Sequence, residues 1–526
     1  MSNFKYNISY TREKVKCIIK EEEKIRKGFK NMKCYINPLR IYGKIDPMIY
    51  GHFIEFFHRQ IYGGIYDPES PLADKDGLRS DVLDALRKIK VPVLRWPGGC
   101  YVSSYNWKKG VGKTRTPFFD KAWRVEDPNT FGTDEYIKFC RKVGCEPYIC
   151  TNAGTGTAEE MSDWVEYCNL KTEGEYAKQR IANGYEAPHN VKYWSIGNEN
   201  YGAWEIGAKD ADEWSRLVLE SARMMKHVDP TIELSAAALT DPNWNLKLLQ
   251  KAGNFLDWIS IHVYYDYLMN TWDYTPTDYE TLMGRTGGIR HSISKVRGTL
   301  AMLGLEKKIK IAYDEWNPRG WHHPGMHQNL GMGLENDEFL KARDKNDTNS
   351  TYTMADAVFT ACFLNECIRN CDVVKMANFA PMLNTTGPIF TYDGGIVKRS
   401  TYYVFELLAN HMGDIAVDLW ADESPKEKMG GSIVSMVDFA AARRSSDNAL
   451  TISAVNKSDT AAQDLEIPLP EGYSSAMVYT VNGPSKDSYN DIGKEEICIS
   501  ESNAVVGNGS VTVQLAPHSV NLVVIK

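Results

Sequence analysis

The sequence predicts an α/β protein that consists of a (β/α)₈ TIM barrel followed by a jelly-roll-like antiparallel β-sandwich. Between residues 46 and 400, eight short apolar runs alternate with amphipathic stretches at helical spacing, a pattern typical of a parallel barrel. From residue 401 the pattern changes to short alternating runs separated by Gly, Asn, Asp and Pro, which indicates antiparallel strands. A doubly wound open sheet is the alternative for the first part, but the sequence lacks the glycine-rich turn such folds carry after the first strand.

The predicted barrel strands are apolar, β-prone runs, and several of them end in a carboxylate, an amide or an aromatic residue. They cover residues 48–55, 91–99, 146–152, 191–200, 232–237, 256–264, 308–317 and 373–380. The intervening helices are predicted at residues 80–90, 134–143, 158–169, 211–228, 244–251, 279–303 and 353–369. In the first of these helices, Val82, Leu86 and Ile89 recur at the spacing that places them on one face.

The chain is predicted to have three parts. Residues 1–31 are rich in charge and lack the apolar core of about 7–15 residues that a signal peptide needs, so they form a helical or disordered extension. Residues 46–400 form the barrel, and residues 33–45 join residues 401–526 in the sandwich. The sandwich strands are predicted at residues 35–37, 40–42, 432–437, 449–455, 476–481, 510–515 and 520–525.

Composition excludes several functional classes. The chain has 526 residues, of which 43% are hydrophobic and 25% charged, with a net charge of −7 and a pI of about 6.0. This balance argues against a nucleic-acid partner or an anionic membrane surface, and no apolar run reaches the length of about 18 residues that a membrane span needs. The eleven cysteines are odd in number and lack C-x-x-C spacing, so we expect reduced thiols in a cytoplasmic protein.

Polar side chains follow the predicted barrel strands at the end where such barrels carry their functional groups. They are Glu55, Arg95, Asn152, Asn198, Glu199, His262, Tyr264 and Glu315. The set has no lysine placed for a Schiff base and no clear metal-ligand spacing, so neither a cofactor nor a metal is predicted. Carboxylates, amides and aromatic rings suit glycoside hydrolysis, in which one carboxyl protonates the leaving oxygen and a second attacks the sugar or activates water. Glu199 and Glu315 are the candidate pair.

Several ordered motifs resemble the α-L-arabinofuranosidases of glycoside hydrolase family 51. The resemblance extends from about residue 33 to the C-terminus and is weakest in the sandwich. Its motifs are YGHFIE at residues 50–55, RWPGG at 95–99, FGTDE at 131–135, NAGTGT at 152–157, GNE at 197–199 and DEWN at 314–317.

The resemblance implies a retaining, exo-acting hydrolase in which Glu199 is the acid/base and Glu315 the nucleophile. It implies that terminal arabinofuranosyl groups are removed from arabinan, arabinoxylan or their oligosaccharides, and that the chain forms a homo-oligomer, commonly a hexamer. It also implies that Asn198 holds the sugar 2-hydroxyl and that Tyr264 hydrogen-bonds the nucleophile. The residues expected to line the pocket are Glu55, Cys100 and Trp123.

Two further strand-end residues are assigned from their chemistry. Arg95 is expected to orient a carboxylate and keep it ionised, although an ion pair with Glu55 is an alternative. His262 either bridges groups within the site or is a buried, hydrogen-bonded histidine. A structural packing role is also open for Cys100.

The chain departs from the family pattern at three places. Cys100 stands where many members carry Asn, and residues 384–390 replace a Trp-Arg-Gln segment that helps to hold the sugar. The long segment after the seventh strand contains His322, His323 and His327, which we expect to be solvated rather than to bind a metal. An endo-β-1,4-glucanase, a xylosidase or another furanosidase on the same scaffold is therefore an alternative. A carbohydrate-binding protein without catalysis is a second alternative.

Overall fold

The computed structural model describes residues 32–267, 276–320, 347–422 and 424–526. The predicted extension at residues 1–31 and the segment that contains His322, His323 and His327 lie outside the described residues.

Eight parallel strands close into a barrel, which confirms the predicted fold. In chain order they are Gly51–Phe53, Val93–Trp96, Glu146–Thr151, Tyr193–Ile196, Glu233–Ala238, Trp258–Tyr267, Lys310–Gly320 and Val374–Phe379. Each strand pairs with its neighbours in sequence, and the eighth pairs with the first. Parallel order places the carboxyl ends of all eight strands at one rim of the barrel.

Helices surround the barrel; most bury one apolar face, whereas Met354–Arg369 is buried along almost its whole surface. They are Ser80–Lys88, Thr133–Val143, Ala158–Asn169, Glu175–Ala182, Ala211–Val228, Pro242–Ala252, Tyr279–Gly284, Gly287–Met302, Met354–Arg369 and Ser400–His411. In Ala211–Val228, buried Trp214, Val218 and Met225 recur at helical spacing. Asp210 begins this helix by accepting hydrogen bonds from the backbone N–H groups of the first turn. Across the described residues, no helix combines the length and apolarity that a membrane crossing requires.

The first barrel strand is shorter than predicted. Residues 48–50 belong to a 3₁₀ turn, Pro47–Tyr50, and only Gly51–Phe53 form the strand. The turn begins where the Asp46 side chain accepts a hydrogen bond from the Met48 N–H, and proline occupies the first helical position. Glu55 consequently lies beyond the strand, on the loop that follows it.

The sandwich is mostly antiparallel, as predicted. Its strands are Met32–Lys44, Ile415–Ala421, Val437–Arg443, Leu450–Asn456, Gln463–Pro468, Ala476–Asn482, Cys498–Asn503, Val505–Gly507, Ser510–Leu515 and Val520–Ile525. Met32–Lys44 joins the two halves, because it pairs antiparallel with Ile415–Ala421 and parallel with Gln463–Pro468. Apolar side chains from both halves, among them Ile36, Ile452 and Leu465, pack into a common core.

Short hairpins and turns complete the fold. The two-stranded sheets are Phe118–Asp120 with Val125–Asp127, Ile389–Tyr392 with Gly395–Lys398, and Lys426–Met429 with Ser432–Ser435. The further 3₁₀ turns are Cys100–Ser104, Trp107–Gly110 and Asn349–Thr351. The prediction of one sandwich strand at residues 432–437 was wrong. Its first four residues form one strand of a separate hairpin with Lys426–Met429, and Val437 begins the next strand of the sheet.

Candidate active site

The predicted strand-end residues converge at the carboxyl rim of the barrel. The sixth and seventh strands extend furthest there, and their parallel register sets Glu315 beside His262 and Asn317 beside Tyr264. Because neighbouring parallel strands point equivalent residues the same way, this pairing brings distant parts of the sequence into one site.

Glu315 is held by two donors, one on each carboxylate oxygen. The Arg95 guanidinium donates through Nη1 to Oε1 at 2.7 Å, and the Tyr264 hydroxyl donates to Oε2 at 2.7 Å. Glu315 is 6% exposed and Arg95 is fully buried. Both carboxylate oxygens of Glu315 therefore accept a hydrogen bond, and the two donors fix the orientation of the side chain.

Glu199 is held by different groups and is closer to solvent. His262 Nδ1 lies 2.9 Å from its Oε1, and the indole N–H of Trp204 donates to its Oε2 at 2.8 Å. Trp204 is 47% exposed. Glu199 adopts a left-handed backbone conformation with φ of 45°, three residues after the fourth strand ends at Ile196. A non-glycine residue in this region is uncommon and is a frequent feature of functional sites.

The two glutamates face one another across His262. One oxygen of Glu199, one oxygen of Glu315 and a ring nitrogen of His262 all lie within 4.8 Å of each other. An oxygen–oxygen distance of at most 4.8 Å agrees with retaining glycosidases, whose carboxyl groups lie about 5–5.5 Å apart, and is shorter than the separation of about 6.5–9.5 Å in inverting ones.

Arg95 also contacts Asn198 and Asp314. Its Nη2 donates to the Asn198 side-chain oxygen at 2.8 Å, and its Nε lies 3.5 Å from Asp314. Arg95 therefore forms ion pairs with Glu315 and Asp314, and not with Glu55. Burial would raise the pKa of Asp314, but the positive charges of Arg95 and His262 hold it below its usual value.

His262 touches three carboxylates. Beside Glu199, its Nδ1 lies 3.5 Å from Glu315 and its Nε2 lies 3.4 Å from Asp314. Burial alone would lower the pKa of His262, but the charge of Glu315 and the hydrogen bonds to Asp314 and Glu199 raise it to about 10. The imidazole is therefore protonated at neutral pH and links the two glutamates as a cation.

Glu55 is buried at the rim of the barrel. Its Oε1 accepts hydrogen bonds from the Tyr101 backbone N–H and the Trp123 indole N–H, both at 3.0 Å. Burial raises the pKa of Glu55 to about 8, and the nearby charge of Glu315 adds to this effect. Glu55 thus carries a proton at neutral pH and can donate a hydrogen bond as well as accept one.

Three of these side chains lie close to Gly99. A β-carbon added there would lie 3.1 Å from Glu315 Oε1 and 3.6 Å from both Asn198 Nδ2 and Glu55 Oε1. An acceptor, an amide donor and a protonated carboxyl therefore converge on one spot, as the binding of a polyhydroxylated ligand requires. Gly99 keeps this spot free of side chain.

Two of the sequence candidates have other surroundings. The Asn152 side-chain oxygen accepts from the backbone N–H groups of residues 154–156, so it shapes its own loop. Residues 384–390 do not project into solvent. Asn384, Thr385 and Thr386 are buried, and Asn317 donates to the backbone oxygen and to the hydroxyl of Thr386.

Sequence reasoning missed three residues at the site, namely Asp314, Trp204 and Glu205. Asp314 precedes Glu315 and was a detectable carboxylate, but strand alternation gave no reason to expect it to contact Arg95 and His262. Trp204 and Glu205 belong to the irregular loop after the fourth strand, where no periodic pattern reports which side chains turn inward. Glu205 is 4% exposed and accepts a hydrogen bond from Ser103.

Comparison with known proteins identifies the family. Residues 85–280 match the model of the α-L-arabinofuranosidase 1 domain, and residues 314–519 match that of the α-L-arabinofuranosidase C-terminal domain. The α-L-arabinofuranosidase C of Emericella nidulans is 32% identical over 490 residues, which cover 89% of this chain and 92% of the relative.

Two bacterial proteins agree with this assignment. The intracellular exo-α-(1→5)-L-arabinofuranosidase 1 of Bacillus subtilis is 31% identical over 92% of this chain and 97% of its own length. The crystal structure of the Thermotoga maritima α-L-arabinofuranosidase in complex with arabinose superposes with a TM-score of 0.83 at 34% identity, covering 94% of this chain and 99% of the other. The resemblance seen in the sequence motifs is confirmed, and the chain belongs to the α-L-arabinofuranosidases of glycoside hydrolase family 51.

Proposed function

We propose that this enzyme removes terminal α-L-arabinofuranosyl groups from arabinan, arabinoxylan or their oligosaccharides, with retention of configuration. Glu315 is the nucleophile and Glu199 the acid/base. The observation that carries the proposal is the approach of one oxygen of each glutamate to within 4.8 Å, with different hydrogen-bond partners on each. Two carboxyl groups at this separation can act on one anomeric carbon without room for a water molecule between them.

In the first step Glu315 attacks the anomeric carbon while Glu199 gives its proton to the departing glycosidic oxygen. A covalent glycosyl-enzyme forms, and the leaving alcohol departs neutral. Arg95 and Tyr264 each hold one oxygen of Glu315, so the attacking carboxylate is positioned before the substrate arrives. This pre-orientation reduces the entropic part of the barrier.

In the second step Glu199, now ionised, accepts a proton from water, which attacks the same carbon and releases Glu315. The exposed side chain of Trp204 borders Glu199 and lies where a leaving group exits and water enters. His262 contacts both glutamates, so it stabilises negative charge on whichever of them carries it.

Sugar recognition is assigned to the groups around Gly99. Arg95 fixes the Asn198 side-chain oxygen, which leaves the Asn198 amide N–H₂ to donate to the 2-hydroxyl. Glu55, oriented by Tyr101 and Trp123, binds a second hydroxyl. Cys100 follows Gly99 and completes the wall of this pocket.

A panel of aryl glycosides tests the proposed activity. The p-nitrophenyl α-L-arabinofuranoside is expected to be cleaved faster than the xyloside, the galactofuranoside and the glucoside, and Glu315→Ala is expected to remove turnover. The glucanase and xylosidase alternatives are not favoured, since relatives that are 31–32% identical over most of the chain are named arabinofuranosidases. A higher kcat/KM on the xyloside or glucoside would reverse this order, and binding of arabino-oligosaccharide without turnover would support the non-catalytic alternative.

Cytoplasmic location and self-association belong to the same proposal. The Bacillus subtilis relative is named intracellular, and the described cysteines are free thiols. Apolar side chains exposed on the outer face of the sandwich suit an interface between copies: Leu39 is 89% and Trp420 59% exposed. Light scattering on the purified chain is expected to give a multimer, and Leu39→Lys is expected to reduce its mass. A monomeric wild type would exclude the assembly.

A further inference from the structure

A short hairpin at residues 118–127 ends in a buried aspartate, Asp127, to which the proposed mechanism gives no task. Asp127 is 4% exposed. Its carboxyl accepts hydrogen bonds from the Tyr62 hydroxyl at 3.0 Å, the Tyr101 hydroxyl at 2.7 Å and the Asn129 backbone N–H at 2.6 Å. Burial of a carboxyl is costly unless donors satisfy it, so these three contacts make Asp127 part of a specific network.

One of these donors also binds Glu55. The Tyr101 backbone N–H donates to Glu55 Oε1 at 3.0 Å, while the Tyr101 hydroxyl donates to Asp127 Oδ2. The ring between these two ends is stacked on Phe56, the residue after Glu55, with the ring centroids 4.5 Å apart. Tyr101 therefore spans the distance between the two carboxyl groups, and its hold on Asp127 fixes where its N–H meets Glu55.

The second donor to Glu55 is carried by the hairpin itself. Trp123 lies in the turn between the two strands, and its indole N–H donates to Glu55 Oε1 at 3.0 Å. Asp127 lies at the opposite, open end, where it pairs with Phe118. Each strand has only three residues, and such a short two-stranded ribbon is not stable alone. The hairpin therefore depends on anchors such as Asp127 to keep the indole in place.

The anchor joins the hairpin to the loop that carries Glu55. Tyr62, one of the donors to Asp127, follows Glu55 on the loop after the first barrel strand. The Tyr62 hydroxyl also accepts from the backbone N–H groups of Thr130 and Phe131, just beyond the hairpin. Both donors to Glu55 act on the same oxygen, and both are tied to one buried carboxyl.

We propose that Asp127 is a positioning residue that sets the orientation of Glu55 toward the sugar, through Tyr101 and Trp123. The inference rests on the proposed function, because it takes Glu55 to bind a hydroxyl of the arabinofuranosyl group. A misplaced binding group far from the chemistry can slow an enzyme strongly, since it spoils the alignment of the reacting atoms. Every substrate carries the same terminal sugar, so aryl glycosides and oligosaccharides should be affected alike.

A double-mutant cycle between Asp127 and Glu55 tests the proposal. Asp127→Ala is expected to lower kcat/KM on an aryl glycoside by about ten- to hundredfold, because the two donors no longer hold the Glu55 carboxyl. In a Glu55→Ala background the same substitution is expected to cost less than about threefold, since no carboxyl is left to orient. Equal fold losses in the two backgrounds would show a general structural role for Asp127 and overturn the proposal.

A milder variant gives the answer even if Asp127→Ala does not fold. Tyr101→Phe removes only the hydroxyl that donates to Asp127 and keeps the backbone N–H that donates to Glu55. It is expected to lower kcat/KM about three- to tenfold, and to have almost no effect in the Glu55→Ala background. The matched control is Tyr167→Phe, which removes a hydroxyl that donates to the equally buried Asp134 at 2.9 Å. A loss in the control as large as that in Tyr101→Phe would overturn the proposal.

The substrate assignment is judged separately from the positioning role. The cycle is measured on whichever aryl glycoside of the panel the wild type cleaves fastest, so a different preferred sugar refutes the proposed function and leaves the coupling readable. If no glycoside is cleaved, the same cycle is read from the Kd of an arabino-oligosaccharide in calorimetry. If Glu55→Ala keeps the wild-type kcat/KM or Kd, Glu55 does not bind the sugar and the role of Asp127 is overturned.

Discussion

The end of the seventh strand and the loop after the fourth strand hold one glutamate each in contrasting ways. Glu315 continues a regular strand, is 6% exposed, and has the buried Arg95 on one oxygen and Tyr264 on the other. Glu199 itself has a left-handed backbone conformation, and one of its partners is the half-exposed Trp204. The first arrangement fixes an anion in place. The second leaves a carboxyl at the mouth of the site, where protons can be exchanged with a leaving group and water.

The proposed mechanism assigns different tasks to these two identical side chains, and their different surroundings support that assignment. A nucleophile gains from a fixed position, which a regular strand and the two donors Arg95 and Tyr264 provide. An acid/base must gain and lose a proton in every cycle, which requires access to the exchanging partner.

Substitution of Glu315 is expected to have the largest effect on activity. Glu315→Ala deletes the nucleophile, so kcat on the aryl arabinofuranoside should fall by about 10⁵-fold or more. Steady-state kinetics with a good leaving group measure this loss. Azide is expected to give a glycosyl azide of inverted configuration, because it enters from the side that Glu315 occupied. Residual turnover within about tenfold of wild type would contradict the assignment of Glu315.

Substitution of Glu199 is expected to have a smaller effect on activity, and its size should depend on the substrate. Glu199→Ala should lower kcat by about 10²–10⁴-fold on natural oligosaccharides, whose leaving groups need protonation. Aryl substrates with good leaving groups should be attacked at nearly the normal rate and then accumulate as glycosyl-enzyme. Added azide should restore their turnover and yield a product with retained configuration. If azide fails to accelerate the variant, Glu199 is not the acid/base.

Loss of one of the two donors to Glu315 tests how much the fixed position matters. Tyr264→Phe removes the hydroxyl that donates to Oε2 at 2.7 Å and leaves the Arg95 contact in place. A hydrogen bond to a charged group contributes about 1.5–3 kcal/mol, so kcat/KM should fall about ten- to hundredfold. Tyr265→Phe, at the next residue on the same strand, is the control, because the described contacts of Tyr265 lie with Phe359 and Phe363. Equal losses in both variants would point to packing rather than positioning.

Substitution of Glu55 is expected to have the smallest effect, which concerns the pH dependence of KM. Its pKa of about 8 means that it is protonated below that pH and ionised above it. Ionisation removes the proton it can donate to the sugar and adds a negative charge near Glu315, so KM should rise as the pH rises through about 8. Glu55→Gln mimics the neutral carboxyl and should keep kcat/KM within about tenfold in mildly acidic buffer. It should also lose the alkaline rise in KM, which initial rates across the pH range measure. An unchanged pH profile would exclude Glu55 as its origin.

Much of the fold and the centre of the site could be predicted because they depend on local patterns. Apolar runs that end in Gly-Asn-Glu or Asp-Glu-Trp placed Glu199 and Glu315 at strand ends, and the parallel barrel put those ends on one rim. The first strand was predicted too long, because Pro47 and the Asp46 cap favour a turn over the β-prone residues that follow. Here a local capping interaction prevailed over strand propensity.

The sequence by itself determined the barrel, the sandwich and the two glutamates, since helical and strand periodicities and strand-end residues are properties of short segments. Tertiary structure alone decided that His262 bridges Glu199 and Glu315, that Arg95 pairs with Glu315 rather than Glu55, and that Cys100 meets Glu205. Those contacts join residues separated by 50 to more than 200 positions. Their distances are set by the closure of the barrel and by irregular loops, neither of which leaves a periodic signal in the chain.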